Sequence, residues 1–474
     1  EHIKTARPDL PVILGGEHVT AMPEFSLKTS AADILVLGEG EETILELDEA
    51  LESRSSLEAI AGIAWRHGDE IIVNPRRLRR TDIDSIAPPA WHLFDIETYH
   101  AHRFVGGMYS SQTTIPILAT RGCPYQCTYC SAPNMWTPRW IPRDPKRVVD
   151  EIAGYVETYG AGNFPFQDLT AIVKKDWIVA FCTEILDRGL DIAWQLPTGT
   201  RSEAIDGQVA ELMARSGMVS MAYAPESGSD TTRRLIKKKM KAENLFESIR
   251  AAAAADLNAA IFLVIGFPHD SPESLAENLA FIDRLAEAGV TDLSAGYYMA
   301  LPGTELFHSL YDSGQIHLDR AYFRHILDSL ALVPSQSYCP ELSRFALMVW
   351  KIRLLMGFYK AKHRVVGRSV WAGLRRIIES FHPDSHETRL QSAFRNGMTS
   401  ALTTLACAFK RRWMPRQEEA AMFARWDDIY RQIREEKRRQ GTLIPAPADT
   451  TQIHKGNVID LLRKGHETQQ VFKA

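Results

Sequence analysis

The sequence has no uninterrupted run of about 18 apolar residues, the length that suggests a membrane-spanning helix. No segment near its first residue has the pattern of a secretory signal peptide. Neither sign of charge dominates, because 55 basic and 59 acidic residues leave a formal charge of −4, which gives no indication of nucleic-acid binding. Cysteine is scarce, with six in 474 residues, which argues against a disulfide framework. The low cysteine content favours a reducing, cytoplasmic location, and 474 residues are enough for two or three domains.

Three of the six cysteines stand in one short loop. Cys123, Cys127 and Cys130 have the spacing C-x3-C-x2-C, and an apolar run at residues 115–119 predicts a strand directly before them. Thiolates grouped this closely suit an iron–sulfur cluster or zinc. Three ligands can hold three corners of a cubane cluster and leave its fourth iron free to bind another molecule. Zinc would need a fourth Cys or His nearby, and the next cysteine, Cys182, falls in a predicted helix.

From about residue 113 to residue 312, short apolar runs alternate with amphipathic segments. The apolar runs predict strands at residues 115–119, 163–167, 192–196, 218–222, 260–265 and 292–298. Helices are predicted at residues 147–159, 176–188, 208–216, 245–255 and 274–288. Six such units predict an α/β fold with a partial (β/α)6 TIM-like barrel. Barrel chemistry is built at the carboxyl ends of the strands, where the cysteine loop lies.

The first part of the chain has shorter strands. Residues 11–14 and 33–37 are apolar runs, and a glycine-rich turn follows each of them. A helix is predicted after the second turn, and this order indicates a doubly wound α/β arrangement. Residues 57–73 predict a hairpin that turns at Gly68 and Asp69. The basic residues that follow are interpreted as a solvated linker without a chemical role: Arg76, Arg77, Arg79 and Arg80.

The cysteine loop resembles that of radical S-adenosylmethionine enzymes, including the aromatic Tyr129 before the third cysteine. In that family the fourth iron is chelated by the amino and carboxylate groups of S-adenosylmethionine. An electron from the cluster then cleaves the sulfonium and yields a 5′-deoxyadenosyl radical. The resemblance implies that Cys123, Cys127 and Cys130 hold a [4Fe–4S] cluster.

The two glycine turns resemble the last two βα units of the cobalamin-binding domain that precedes many radical S-adenosylmethionine cores. The resemblance implies a corrinoid-facing role for Gly15, Gly16, His18, Gly38, Glu39, Gly40 and Glu41. His18 alone is read as a turn residue rather than a cobalt ligand. The first half of such a domain is missing, so we expect the chain to be a piece of a longer protein. Cobalamin is predicted as a cofactor of the intact protein.

Later strand ends resemble the family's S-adenosylmethionine-binding motifs. The resemblance implies contacts from Arg201, Glu226, Ser227, Ser229, Gly266 and Pro268. The usual Gly-Leu before the glutamate is Ala224-Pro225 here. Two of these positions have structural alternatives, since Arg201 could lie on the surface and Ser229 could cap the next helix. Asp168, at the end of the second strand, is either a functional carboxylate or a helix cap. No catalytic acid or base is identified.

Beyond residue 312 the strand alternation stops, and helices are predicted at residues 345–361, 367–381 and 418–440. Residues 351–416 carry far more basic than acidic side chains, interleaved with aromatic ones. Three interpretations stay open: contact with a membrane surface, a basic lid over an anionic substrate, and a helical cap with its basic side in water. The polar tail after residue 445 is predicted to be mobile.

Four parts are therefore expected. Residues 1–55 are the end of a truncated Rossmann-like cobalamin-binding domain, and residues 56–110 are a hairpin and linker. Residues 111–312 are the radical S-adenosylmethionine barrel, and residues 313–474 are a helical region.

The predicted function is reductive cleavage of S-adenosylmethionine followed by methylation or oxidative cyclisation of an unactivated carbon. A small-molecule, tetrapyrrole or lipid-like substrate is expected, with an electron donor such as flavodoxin or ferredoxin. The alternatives are a cobalamin-independent radical enzyme and a zinc-binding scaffold without catalysis.

Overall fold

The computed structural model describes residues 2–102, 107, 110–366 and 415–443. Its strands form a four-stranded sheet, a six-stranded sheet and a two-stranded ribbon. The helix predicted at residues 367–381, most of the basic stretch 351–416 and the tail after residue 445 lie outside the described residues. The division of the chain at residues 55, 110 and 312 stays a prediction.

Four strands form the amino-terminal sheet: β1 (Ile13–Gly15), β2 (Ile34–Val36), β3 (Ile63–His67) and β4 (Glu70–Val73). They pair in this order, β1 and β2 in parallel and the others antiparallel. The predicted hairpin is present, and it extends the sheet made by the two βα units. The helices of this part are α1 (His2–Ala6), α2 (Glu17–Ala21), α3 (Pro23–Thr29) and α4 (Glu41–Ser53).

Six parallel strands form the second sheet: β5 (Thr113–Thr114), β8 (Ala161–Pro165), β9 (Ala193–Thr200), β10 (Met218–Glu226), β11 (Asn258–Ile265) and β12 (Asp292–Tyr297). They lie side by side in chain order. Within the described chain β5 and β12 are the two edges, so the sheet is a partial barrel. The predicted fold class is confirmed.

Helices cover the barrel strands, and five of them are those that the amphipathic segments predict: α7 (Pro145–Tyr159), α8 (Lys175–Asp187), α9 (Gly207–Arg215), α11 (Ala242–Ala254) and α12 (Pro272–Ala288). The short α10 (Asp230–Leu235), directly after Ser229, joins them. The signals that start and stop them are local. Asp144 caps α7 through the amide of Lys146, and Gly160 ends it in the left-handed conformation. These signals lie within one turn of a helix end, so they can be found in the sequence. The bounds of the five predicted helices are therefore correct to within about three residues.

The first barrel strand departs most from the prediction. Regular pairing covers only β5, and the chain then follows β8 through single contacts, such as the amide of Ile117 on the carbonyl of Pro165 at 3.0 Å. Beyond this point the amide of Thr120 donates to the carboxylate of Asp168 instead of to a strand. The Asp168 carboxylate thus accepts the hydrogen bond that a backbone carbonyl of the neighbouring strand would accept in a regular sheet. The predicted strand at 115–119 is therefore irregular.

The helices after the barrel are α13 (Glu305–Asp312), α14 (Arg320–Asp328), α15 (Arg344–Val366) and α16 (Arg416–Arg439). α15 packs on α12 and β12 and covers the open edge of the barrel, while α16 packs on α3. Lys351 of α15 is buried, and its Nζ donates to the carbonyls of Ser329 and Ala331 at 3.1 and 3.0 Å. Among the described helices, none combines the length and apolar character that crossing a membrane requires.

Candidate functional site

The cysteine loop is closed at its base by a short antiparallel ribbon of β6 (Thr120–Arg121) and β7 (Ile141–Pro142). Gly122, directly after β6, has a φ of 86°. A Cβ at this position would stand 2.2 Å from the carbonyl oxygen of Arg139. Glycine is therefore required here by both conformation and space. Between the two strands the loop contains the three cysteines and a one-turn helix, α6 (Ala132–Trp136).

Asp168 holds the start of this loop. Its side chain is fully buried and accepts hydrogen bonds from the amides of Ala119 and Thr120 and from the Thr120 hydroxyl. Burial raises the pKa of Asp168 to about 6, although these hydrogen bonds act in the opposite direction. The interpretation of Asp168 as a helix cap is wrong, because α8 begins after Lys174. A functional role for this carboxylate stays a prediction.

A cavity of about 240 Å³ opens above the carboxyl ends of β9 and β10. The residues that line it on the loop side are Cys123, Tyr125, Cys127, Tyr129, Cys130 and Ala132. On the barrel side they include Thr170, Thr198, Thr200, Arg201, Glu226 and Lys238. A larger cavity of about 910 Å³ lies between α14 and residues 334–344, and none of the three loop cysteines lines it. We place the candidate site in the smaller cavity because the three loop cysteines meet charged barrel residues there.

The thiols of this cavity are mostly buried. Burial raises the pKa of Cys127, and it raises that of Cys130 to about 11. These two thiols are therefore protonated at neutral pH without a metal, and a metal cluster would displace their protons. Soft sulfur donors on one loop fit an iron–sulfur cluster by donor chemistry. The Thr200 hydroxyl is buried on the same cavity and has no hydrogen-bond partner among the described residues, which leaves a polar atom available to a ligand.

Glu226 organises the polar side of the cavity. It ends β10 with a φ of 65°, a conformation that non-glycine residues adopt rarely and mostly at functional sites. Its Oε1 accepts hydrogen bonds from the Tyr129 hydroxyl at 2.8 Å and from Lys238 Nζ at 3.0 Å. Burial and the Glu226 carboxylate both raise the pKa of Tyr129. Burial lowers the pKa of Lys238, but the pKa is raised on balance, chiefly by the Glu226 carboxylate, so Lys238 carries a positive charge beside the thiols.

Arg201 also lines the cavity, but its guanidinium is engaged. It lies 4.1 Å over the Tyr125 ring, pairs with Glu203 at 2.8 Å and donates to the carbonyl of Lys239. The side chain is 12% exposed, so its interpretation as a surface arginine is wrong. Arg201 presents its charge to the cavity from a fixed position.

The structure does not bring the other predicted S-adenosylmethionine residues into this cavity. Ser229 caps α10 by accepting from the amide of Thr232, so the structural alternative for this residue is confirmed. Ser227 accepts from the amide of Ser229. Gly266 and Pro268 follow β11, and the amide of Gly266 donates to Asp270. The assignment of these four residues to S-adenosylmethionine stays a prediction.

The predicted corrinoid residues lie on the turns after β1 and β2. A Cβ on Gly16 would meet nothing within 4 Å, whereas one on Gly38 would lie 3.8 Å from the carbonyl of Met135 in α6. Gly15 and Gly40 lie against Val36. The ring of His18 packs edge-on against Phe25, and burial lowers its pKa. These turns therefore stand next to the cysteine loop.

Sequence reasoning missed two cavity residues, Lys238 and Thr200. Lys238 is one of three consecutive lysines, and no pattern distinguishes it from Lys237 or Lys239. Thr200 is polar at a strand end, which is common. A basic residue placed shortly after the Glu226 turn was the only available signal, and it is weak.

Two segments of this chain match models of known protein families. Residues 117–282 match the family model of the radical SAM superfamily, and residues 1–48 match that of the B12 binding domain. The cytidylyl-2-hydroxyethylphosphonate methyltransferase of Streptomyces wedmorensis is 28% identical over 345 residues, 67% of this chain and 64% of the relative. The anaerobic magnesium-protoporphyrin IX monomethyl ester cyclase of Cereibacter sphaeroides is 28% identical over 316 residues, 65% of this chain and 50% of the relative.

Solved structures share the fold. A structure of the cobalamin-dependent S-adenosylmethionine radical enzyme OxsB superposes with a TM-score of 0.54 and 14% identity, covering 94% of this chain and 70% of that one. The radical S-adenosylmethionine methyltransferase TsrM of Kitasatospora setae has a TM-score of 0.51 and 17% identity over 64% of this chain and 58% of that one. This chain spans 64% and 50% of the length of the two curated relatives described above.

Proposed function

We infer that the chain belongs to the radical SAM superfamily, in the group whose members also carry a B12 binding domain, and we propose that it cleaves S-adenosylmethionine reductively at a [4Fe–4S] cluster. When bound, the cluster and S-adenosylmethionine supply a reactive carbon-centred radical. We further propose that this radical acts on an unactivated carbon of the substrate, which is then methylated or oxidatively cyclised.

One observation carries the proposal. Cys123, Cys127 and Cys130 line the same cavity as the Lys238–Glu226 pair, at the carboxyl ends of parallel barrel strands. Sulfur donors would hold the cluster, and a charged pair beside them suits the amino and carboxylate groups of an amino-acid ligand. Glu226 would orient the ligand's ammonium or hydroxyl groups, and Lys238 its carboxylate. The low exposure of Lys238 and Glu226, at 14% and 10%, excludes water and strengthens these contacts.

The test is an anaerobic reconstitution of the chain with iron and sulfide. We expect about four irons per chain and release of 5′-deoxyadenosine when S-adenosylmethionine and a reductant are added. Zinc in place of iron, with no product, would support the scaffold without catalysis and would overturn the proposal. Iron and product without any corrinoid in the full-length protein would support the cobalamin-independent alternative.

Lys238 allows a sharper prediction about S-adenosylmethionine. Replacement by methionine keeps most of the side-chain volume but removes the charge, so we expect the Kd for S-adenosylmethionine to rise about tenfold or more, since a charge-assisted contact contributes about 1.5–3 kcal/mol. Lys239→Met is the matched control, because Lys239 is exposed and does not line the cavity. Calorimetry on the reconstituted chain measures both. Unchanged affinity in Lys238→Met would show that this charge does not contact the ligand.

The B12 binding domain match covers only residues 1–48. We propose that cobalamin binds between the glycine turns and the barrel in the intact protein. Cobalamin is bound in solved structures of both enzymes, OxsB and TsrM. An electron donor such as flavodoxin or ferredoxin and a small-molecule, tetrapyrrole or lipid-like substrate remain part of this proposal.

We also propose a peripheral contact between α15 and an anionic lipid surface. Besides the buried Lys351, α15 has five Lys or Arg residues and neither Asp nor Glu. Its outer face exposes Phe345, Val349 and Met356 at 54%, 49% and 68%. Exposed apolar side chains among basic ones suit a negatively charged membrane surface.

Vesicle sedimentation tests this contact. The chain should sediment with vesicles that contain phosphatidylglycerol and not with pure phosphatidylcholine. The double variant Phe345→Glu with Met356→Glu should lose binding. Leu78→Glu, at a site 92% exposed on the linker, should keep it. Equal sedimentation with both vesicle types, or none, would contradict the proposal.

A further inference from the structure

A buried carboxylate joins the glycine turn after β2 to the cysteine loop. Glu39 accepts from Arg79 Nε at 3.1 Å on one oxygen and from Arg121 Nη1 at 3.1 Å on the other. The side chains of Glu39, Arg79 and Arg121 are 11%, 7% and 13% exposed. Both carboxylate oxygens are thus engaged, away from water. The interpretation of Arg79 as part of a solvated linker is wrong.

The two arginines reach opposite stems of the loop. Arg121 belongs to β6, immediately before Gly122 and Cys123. Arg79 Nη1 donates to the carbonyl oxygens of Trp136 and Arg139, which precede β7 on the other stem. Both guanidinium groups also lie over the Trp136 ring, at 5.4 and 5.7 Å from its centre. A single carboxylate therefore ties together the two ends of the loop that contains the three cysteines.

We propose that Glu39 is a positioning residue for the cysteine loop rather than a corrinoid contact. The proposal rests on the proposed function for the identity of the cluster, but the contacts themselves do not depend on it. Only two residues on each stem pair as a ribbon, so backbone hydrogen bonds hold the loop weakly. Removing the Glu39 charge leaves Arg79 and Arg121, both largely buried, close together without the carboxylate that they share. Arg121 then keeps only its pair with Glu41, so the loop loses its link to Arg79 and is destabilised locally.

Glu39→Gln keeps the shape of the side chain and removes its charge. Glu42→Gln is the matched control: it lies in the same segment and pairs with Arg80 and Arg77, but these two arginines do not contact the loop. Hydrogen exchange on the chain without iron reports the loop directly. We expect amides at residues 122–140 to exchange about tenfold faster or more in Glu39→Gln, which corresponds to about 1.4 kcal/mol of local stability. Exchange in β9, β10 and β11 should not change.

A second readout uses the reconstituted chain. The rate at which bathophenanthroline removes iron should rise by a similar factor in Glu39→Gln and stay at the wild-type value in Glu42→Gln. Glu39→Asp should recover part of the protection. The electron paramagnetic resonance spectrum of the reduced cluster should broaden in Glu39→Gln, a change that a general loss of stability would not produce.

Three outcomes would overturn the proposal. The first is exchange of the loop at the wild-type rate in Glu39→Gln, and the second is the same increase in Glu42→Gln. The third is loss of corrinoid from the Glu39→Gln variant of the full-length protein while the loop is unaffected, which would assign Glu39 to the corrinoid. If the wild-type chain takes up no iron, the proposed function fails, and the exchange experiment still decides the role of Glu39.

Discussion

Cys127→Ala is expected to abolish both iron binding and cleavage of S-adenosylmethionine while the barrel stays folded. The Cys127 thiol lines the cavity beside Lys238, and its Sγ lies 3.8 Å from the carbonyl of Lys237. Without it the loop offers two sulfurs, which cannot hold three corners of a cubane cluster. Iron should fall from about four per chain to fewer than about one, and 5′-deoxyadenosine formation should fall to background.

The matched control for this prediction is Cys182→Ala. Cys182 is fully buried in α8 within the main hydrophobic core and does not line the cavity. Its loss should cost on the order of 1 kcal/mol of stability and leave the iron content unchanged. Iron analysis and anaerobic assays of both variants decide the matter. If Cys127→Ala retained iron and activity, the ligand assignment would be wrong; if both variants lost iron, the effect would be one of folding.

The second large effect is expected for Gly122→Ala. The added Cβ would stand 2.2 Å from the Arg139 carbonyl oxygen in a conformation with φ at 86°, so the two stems of the loop must separate. We expect a local cost on the order of 3 kcal/mol and loss of most of the iron after reconstitution. Circular dichroism should show that the helices and barrel strands remain.

Gly160→Ala is the matched control for Gly122→Ala. It distinguishes the steric clash of the added Cβ from the cost of a left-handed backbone conformation. Gly160 ends α7 with φ at 59°, and a Cβ there would meet nothing within 4 Å. It shares the cost of a left-handed conformation, about 1 kcal/mol, but not the clash. Its Tm should therefore fall by a few degrees with no loss of iron. Equal iron content in the two variants would show that the contact with Arg139 does not shape the loop.

Much of the barrel follows from local signals. The five helices predicted between the strands appear where the amphipathic segments lie, and three of them begin at the capping residues Asp144, Asp206 and Ser271. The strand predictions succeed for β9 to β12 because buried parallel strands are continuous apolar runs. The first strand is irregular because the Asp168 carboxylate, which comes from the end of another strand, takes the amides of Ala119 and Thr120. No pattern within residues 115–119 carries that information.

The same limit applies to charged residues. Arg76, Arg77, Arg79 and Arg80 form one basic run in the sequence, yet Arg79 is 7% exposed and Arg80 is 33% exposed. Lys238 is likewise indistinguishable from its neighbours until β10 places Glu226 beside it. Whether a charge lies in water or in a buried pair depends on which distant carboxylate the fold brings near.

The sequence by itself determined the fold class, the order of strands and helices and the place of the three cysteines at a strand end. These depend on apolar periodicity, capping residues and spacing, which act over a few neighbouring residues. Only the tertiary structure decided that Lys238 and Thr200 join the cysteines in one cavity, that Ser229 caps a helix, and that Glu39 binds both stems of the cysteine loop. These contacts join residues up to about 100 positions apart, as Tyr129 and Glu226 are at a separation of 97. Local sequence signals do not reveal such pairs, because the burial and charge pairing of a residue depend on how the whole molecule packs.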